Sequence, residues 1–201
     1  MKISKSNLTF YRLFFGLLGF SAIVTEIAVL TDRGIFKPEN FFSFFTIQSN
    51  IIVVTTLMLT VLGSKFVSAR TLAKLRGAAT TYILIVGIGF AVLLSGLEDT
   101  VFTVVPWDNI VLHYIMPVVM LVDWILDRPA AKLKFTRSLT WLLYPLLYVA
   151  YSLYRGNLVD WYPYPFLDPA VSSPEQITFT VVGLLALGAG IIFTLIKLAK
   201  K

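Results

Sequence analysis

The sequence predicts an all-α membrane protein, a single domain over residues 1–201 formed by a bundle of six transmembrane helices. The first observation is the composition, because 57% of the residues are hydrophobic and only 14% are charged, whereas soluble domains average about 25% charged residues. The second observation is a series of six apolar stretches. The third is the placement of the basic residues along the chain, which predicts that both termini lie in the cytoplasm.

The six apolar stretches follow one another with brief connections, and most reach or approach the ~20 residues that a helix needs to cross the bilayer core. The fourth and fifth are shorter, and would cross if they extend into neighbouring residues. The first resembles a signal peptide, but Glu26 interrupts it and no small-residue cleavage site follows, which indicates an uncleaved helix. The predicted helices are residues 8–30, 41–63, 77–97, 110–126, 139–154 and 176–198.

Basic residues account for the predicted orientation. All but three of the 17 lie at alternating ends of the predicted helices, on the same side as both termini. The opposite ends carry only Arg33, Lys37 and Arg155. Since cytoplasmic connections are enriched in Lys and Arg, this pattern explains the net charge of +6 without a nucleic-acid partner.

Two apolar segments contain polar side chains that are costly in hydrocarbon unless they have a partner or a task. Thr46 lies near the start of the second predicted helix, and His113, the only histidine, lies near the start of the fourth. The predicted topology places both about 5–8 Å below the outer surface. A hydroxyl and an imidazole that can meet are the minimum requirement for acyl transfer. We therefore predict Thr46 as a nucleophile and His113 as its general base.

Other polar residues are candidates for supporting roles at the same site. Ser49 and Asn50 share a helix face with Thr46, and together with Gln48 they are predicted to stabilise an oxyanion or position a substrate. A carboxylate could orient the histidine, and an arginine could assist at the rim; the candidates are Glu26, Asp108, Arg155 and Asp168. The chain has no cysteine and a single histidine, so we expect neither a metal nor a cofactor.

Each of these residues also has a structural interpretation. Thr and Ser in membrane helices often bond the backbone four residues earlier, and Asn50 could join two helices. Glu26 and Arg155 could pair with each other, and Asp123 could neutralise a nearby arginine. The connection at residues 155–169, with three prolines and four aromatic residues, suits either the membrane interface or the covering of a cavity.

Three segments together resemble a known family. They are FFSFFTIQSN at residues 41–50, LHYIMPVVMLVDWILDRP at residues 112–129, and the run from WLLYP to WYPYPFLDP at residues 141–169. They are similar to bacterial six-helix relatives of the androgen-induced and androgen-dependent TFPI-regulating proteins. The most specific pieces are the F-x-T-x-x-S-N segment, the histidine that opens the fourth helix, and the Y-P-x-P-F-L-D loop.

The resemblance implies an activity. Eukaryotic members of that family are integral-membrane threonine hydrolases that cleave fatty acid esters of hydroxy fatty acids. By position, their essential threonine and histidine correspond to Thr46 and His113. The resemblance thus implies a threonine-type carboxylic ester hydrolase acting on a membrane lipid ester, in a bacterial plasma membrane.

Two other functions remain open from the sequence, as does the oligomeric state. One is a non-enzymatic small carrier or a membrane protein that binds lipid or another ligand. In that case His113, Glu26 and Asp123 would form a path for protons or for the substrate. The other is a scaffold that packs against helices through small residues such as those at positions 183–190.

Overall fold

The computed structural model describes residues 4–63, 67–95 and 103–199. Every element in this part of the chain is helical, which confirms the all-α prediction for the described residues. Five stretches are long and apolar enough to cross a membrane, as expected of an integral membrane protein. They are Lys5–Asp32, Phe45–Leu62, Ala69–Leu94, Pro106–Leu126 and Pro174–Ala199.

Two of these stretches combine different helix types. The third is an α-helix continued by a π-helical turn, and the fourth is two α-helices joined by a π-helical turn. The predicted end of the third helix, Leu97, lies outside the described residues. The elements are α1 Lys5–Asp32, α2 Pro38–Phe41, α3 Phe45–Leu62, α4 Ala69–Gly89 with the π-turn Phe90–Leu94, α5 Pro106–Ile110 with the π-turn Val111–Ile115, and α6 Met116–Leu126.

The fifth predicted helix, residues 139–154, differs from the expected continuous α-helix. The chain there forms α7 Phe135–Ser138, a 3₁₀ turn Leu139–Leu142 and α8 Leu143–Val159, which has 17 residues. It is followed by the 3₁₀ turn Pro165–Leu167 and by α9 Pro174–Ala199. A sixth crossing and the cytoplasmic location of the termini therefore stay predictions.

The central helix of the bundle is α4, which packs against α3, α6 and α9, while α3 lies between α1 and α4. The indole N–H of the fully buried Trp124 donates to the carbonyl of Leu195 at 3.0 Å and so joins α6 to α9. Large apolar side chains such as Phe10 and Phe179 are exposed on the peripheral helices α1 and α9. This arrangement suits a surface that faces lipid tails.

Three helices are held together by a buried ion network at one end of the bundle. Asp123 of α6 accepts from Arg12 of α1 at 2.6 Å and from Arg76 of α4 at 2.6 Å, through different carboxylate oxygens. Asp127 also contacts both arginines. The proposed pairing of Asp123 with arginine is confirmed. Two positive and two negative charges balance, so the network carries no net charge into an apolar environment.

We predict that Asp123→Asn destabilises the fold by about 3 kcal/mol, because it removes the buried carboxylate and leaves the two buried guanidinium groups with only the more exposed Asp127 carboxylate. The matched control is Asp32→Asn, at the exposed end of α1. Thermal unfolding in detergent, followed by circular dichroism, would measure the difference. Equal melting temperatures for the two variants would contradict the structural role of the network.

Candidate active site

The second predicted helix is interrupted just before Thr46. Helix α2 ends at Phe41, and α3 begins at Phe45 after an extended residue, Phe44. Thr46 therefore lies in the first turn of α3, where a backbone N–H has no intrahelical acceptor. A neighbouring helix holds the turn between α2 and α3, because the Tyr148 hydroxyl of α8 donates to the Ser43 carbonyl at 2.9 Å. The interruption leaves both the hydroxyl and the N–H of Thr46 available to other elements.

His113 lies in the π-turn that joins α5 to α6. Pro117, four residues later, has no N–H to donate to the His113 carbonyl, so the regular α-helical bond cannot form there. Gly87 of α4 lies against this irregular turn. A Cβ atom at Gly87 would lie 2.8 Å from Pro117 Cγ and 3.1 Å from the His113 carbonyl oxygen. Close approach at Gly87 thus permits α4 to pack on the turn that carries the histidine.

Thr46 and His113 meet. The Thr46 hydroxyl lies 3.3 Å from His113 Nε2, and both side chains are buried. His113 Nδ1 lies 3.1 Å from the Asn109 carbonyl. A carbonyl only accepts, so Nδ1 must carry the proton, and in the neutral imidazole Nε2 then accepts from the Thr46 hydroxyl. This is the arrangement that a hydroxyl nucleophile and its base require.

The imidazole is also held by an aromatic ring. Phe90, in the π-turn after α4, stacks on His113 with a centroid distance of 4.0 Å and an interplanar angle of 29°. Stacking on one face and a hydrogen bond on the Nδ1 edge leave the Nε2 edge directed at Thr46. Both π-turns therefore contribute to the same site.

Tyr164 is the contact that sequence reasoning did not single out. Its hydroxyl accepts from the Thr46 backbone N–H at 3.2 Å and lies 3.3 Å from the Thr46 hydroxyl. Burial raises the pKa of the Tyr164 phenol, so the group is a neutral donor at physiological pH. The signal in the sequence is the Y-P-x-P-F-L-D segment, in which Tyr164 is the unspecified position. From this segment only Asp168 is predicted as a site residue, and its aromatic residues are predicted to lie at the membrane interface or to cover a cavity.

The aromatic loop is anchored to α8. Tyr162 packs directly on Gly156, where a Cβ atom would overlap its ring. The Arg155 guanidinium lies 5.1 Å from the centre of the Trp161 ring and donates to Asn40 Oδ1 at 2.8 Å. Asp168 accepts from the Ala170 N–H at 2.8 Å within a local turn. Arg155 and Asp168 thus shape the loop and do not contact the Thr46–His113 pair, contrary to their predicted supporting role.

Two of the three predicted oxyanion donors use their amide groups for other hydrogen bonds. The Asn50 amide donates to the carbonyls of Thr46 and Leu112, at 2.9 and 3.2 Å. Gln48 donates to the Phe42 carbonyl and accepts from the Tyr144 hydroxyl. Each amide is committed to joining elements, so the geometry does not favour either as an oxyanion donor. The Ser49 hydroxyl is buried without a hydrogen-bond partner.

The predicted carboxylates do not orient the histidine, because the Asn109 carbonyl occupies Nδ1. Glu26 accepts from the Val104 N–H at 2.8 Å, and Asp108 is fully buried. The Glu26–Arg155 pairing allowed by the sequence is wrong, since each has other partners. Within the described residues, no group of three or more His, Asp or Glu side chains could hold a metal.

Two cavities meet at the site. One, of about 190 Å³ and termed the polar cavity, has a largely apolar wall that also includes Glu26, Lys37, Asn40, Thr103 and His113. A second cavity of about 70 Å³ lies between α4, α8, α9 and the loop, and its lining is almost entirely apolar. Thr46 and Tyr164 line both cavities.

Comparison of the chain with family models, curated proteins and solved structures gave no significant match.

Docking of the aromatic loop on α8 gives a direct prediction. Gly156→Val should displace Tyr162 and open the loop, so chymotrypsin should cleave near residues 161–166 faster than in the unchanged protein. Gly183→Val is the control, because a Cβ atom there would meet nothing within 4 Å. The anchoring role would be disproved by equal cleavage rates in the two variants.

Proposed function

We propose that this protein is a membrane-embedded hydrolase of lipid esters, with Thr46 as the nucleophile and His113 as the general base. The observation that carries the proposal is the 3.3 Å approach of the Thr46 hydroxyl to His113 Nε2, with Nδ1 committed to the Asn109 carbonyl. The resemblance of the three sequence segments to bacterial relatives of integral-membrane threonine hydrolases supports the same two residues.

The reaction proceeds in two steps. Thr46 Oγ1 attacks the ester carbonyl as its proton passes to His113 Nε2, and the tetrahedral intermediate collapses as the bond to the alcohol oxygen breaks. His113 protonates the departing alkoxide. Water then attacks the acyl-threonine with His113 again as base, and the acid is released with regeneration of the Thr46 hydroxyl.

Tyr164 supplies a hydrogen-bond donor beside the reacting atom. Its neutral hydroxyl already contacts Thr46 Oγ1, and a carbonyl carbon bonded to that oxygen holds its own oxygen within a similar distance. Tyr164 is the donor to the oxyanion in this mechanism, in place of the amides of Asn50 and Gln48. One such donor contributes about 3 kcal/mol of transition-state stabilisation.

The location of the site favours a lipid substrate. Its apolar cavity lies between helices of a bundle whose peripheral side chains are apolar. We place the site in the outer leaflet of a bacterial plasma membrane, with six crossings and cytoplasmic termini. The continuous helical run of residues 135–159 has the length of a crossing, and the basic residues favour this orientation.

Activity-based labelling tests the nucleophile. A fluorophosphonate probe should label the purified protein in detergent, and Thr46→Ala and His113→Ala should each abolish labelling while the protein stays folded. Thr60→Ala is the matched control, because its hydroxyl only bonds the Thr56 carbonyl in the same helix. Absence of labelling in folded wild-type protein would contradict the proposal and favour the binding or carrier role.

Substitution of the tyrosine tests the oxyanion donor. Tyr164→Phe should lower kcat by about 10²–10³ with little change in KM, because the lost hydrogen bond strengthens as charge develops on the oxyanion. Tyr162→Phe is the control, since it alters a tyrosine of the same loop that packs on Gly156. An unchanged kcat in Tyr164→Phe, measured with a chromogenic ester, would exclude this role.

A further inference from the structure

The two cavities at the site differ in which site residues they share. Thr46 and Tyr164 line both, whereas His113 lines the polar cavity and not the apolar one. An ester bound at Thr46 extends in two directions from its carbonyl carbon, one along the acyl chain and one through the alcohol oxygen. The cavities offer one place for each.

The apolar cavity contains almost no polar surface other than the site itself. Ile85, Val86 and Gly89 of α4 and Leu184 of α9 form much of its wall. The hydroxyl of Tyr148, which also lines it, is already donated to the Ser43 carbonyl. Methylene groups have no hydrogen bonds to lose in such a space, and their burial is favourable. An alcohol oxygen or a water molecule would find few hydrogen-bonding partners there.

The polar cavity also has largely apolar walls, but it adds polar side chains that the apolar cavity lacks. The exposed residue Lys37 lines it, and Glu26, Asn40 and Thr103 add further polar atoms. An alcohol oxygen or a water molecule near His113 therefore has hydrogen-bonding partners on this side. His113 Nε2 must give its proton to the departing alcohol oxygen. In the second step, Nε2 must take a proton from the attacking water.

We propose that the apolar cavity is the acyl-chain subsite and that the polar cavity receives the alcohol portion and then the hydrolytic water. This assignment rests on the proposed hydrolase function and fixes the direction in which an ester lies. If the ester lay in the opposite direction, its alcohol oxygen would leave into the apolar cavity, which His113 does not line, and the histidine could not protonate it.

The size of the apolar cavity sets its selectivity. A volume of 70 Å³ corresponds to roughly five water-sized positions at ~10–15 Å³ each, enough for the first several carbons of a chain. Gly89 lies at the end of α4 with ordinary helical geometry, and a Cβ atom there would lie 3.7 Å from Leu184 Cδ2. A side chain at position 89 would therefore occupy the cavity without straining the backbone.

Chain-length selectivity in Gly89 variants tests the assignment. The substrates are p-nitrophenyl acetate, butyrate, octanoate and dodecanoate, which share one alcohol group. In Gly89→Leu, kcat/KM for octanoate should fall by about tenfold or more, the effect of excluding a methylene or two, while that for acetate is retained. Gly89→Ala should give a smaller shift in the same direction. Gly183→Leu, with open space around its Cβ position, should leave the profile unchanged.

The outcomes separate this inference from the function beneath it. If wild type hydrolyses the esters and both Gly89 variants keep its chain-length profile, the subsite assignment is overturned and the hydrolase function stands. A parallel loss for every ester, acetate included, also overturns the assignment. If wild type hydrolyses none of them and the probe does not label it, the proposed function fails, and the assignment fails with it.

Discussion

The carboxylate of Asp123 holds the bundle in register. It bonds an arginine from α1 with one oxygen and an arginine from α4 with the other, while belonging to α6 itself. In an apolar surrounding such bonds are directional and costly to leave unmade, so the three helices are fixed in relative height. Helix α3 lies between α1 and α4, and its first turn is therefore set against the π-turn Val111–Ile115 that leads into α6. The meeting of Thr46 with His113 depends on that alignment.

Irregular backbone positions the residues of the site. The break before Phe45 frees the first turn of α3, the turn before Pro117 directs His113, and the loop after α8 delivers Tyr164. In each case a regular helix would satisfy its own backbone groups and turn the side chain elsewhere. Neighbouring elements supply the missing bonds, as Tyr148 does for Ser43. The site thus consists of residues at breaks in helices, where neighbouring elements bond the backbone groups that the helix leaves unpaired.

The length of the apolar segments and the placement of the charges can be read along the chain without knowledge of the fold. The sequence was therefore sufficient to predict helical, membrane-compatible segments. It also placed Thr46 and His113 at similar depth, which is why the pair could be nominated together. It could not reveal that a backbone carbonyl, that of Asn109, holds the histidine, because every residue has one. Nor could it show that the Asn50 amide donates to two backbone carbonyls. Tyr164 was hidden for a different reason: its contact with Thr46 spans 118 positions of the chain.

The stacking of Phe90 on His113 has a consequence for proton exchange. One face of the imidazole is covered, and the Nδ1 proton is held by a carbonyl. In the proposed reaction, a proton acquired at Nε2 therefore has few routes to bulk solvent other than the cavity assigned to the alcohol. The proton that Thr46 gives up in the first half-reaction would then leave on the alcohol, and the proton that restores the Thr46 hydroxyl would come from the hydrolytic water.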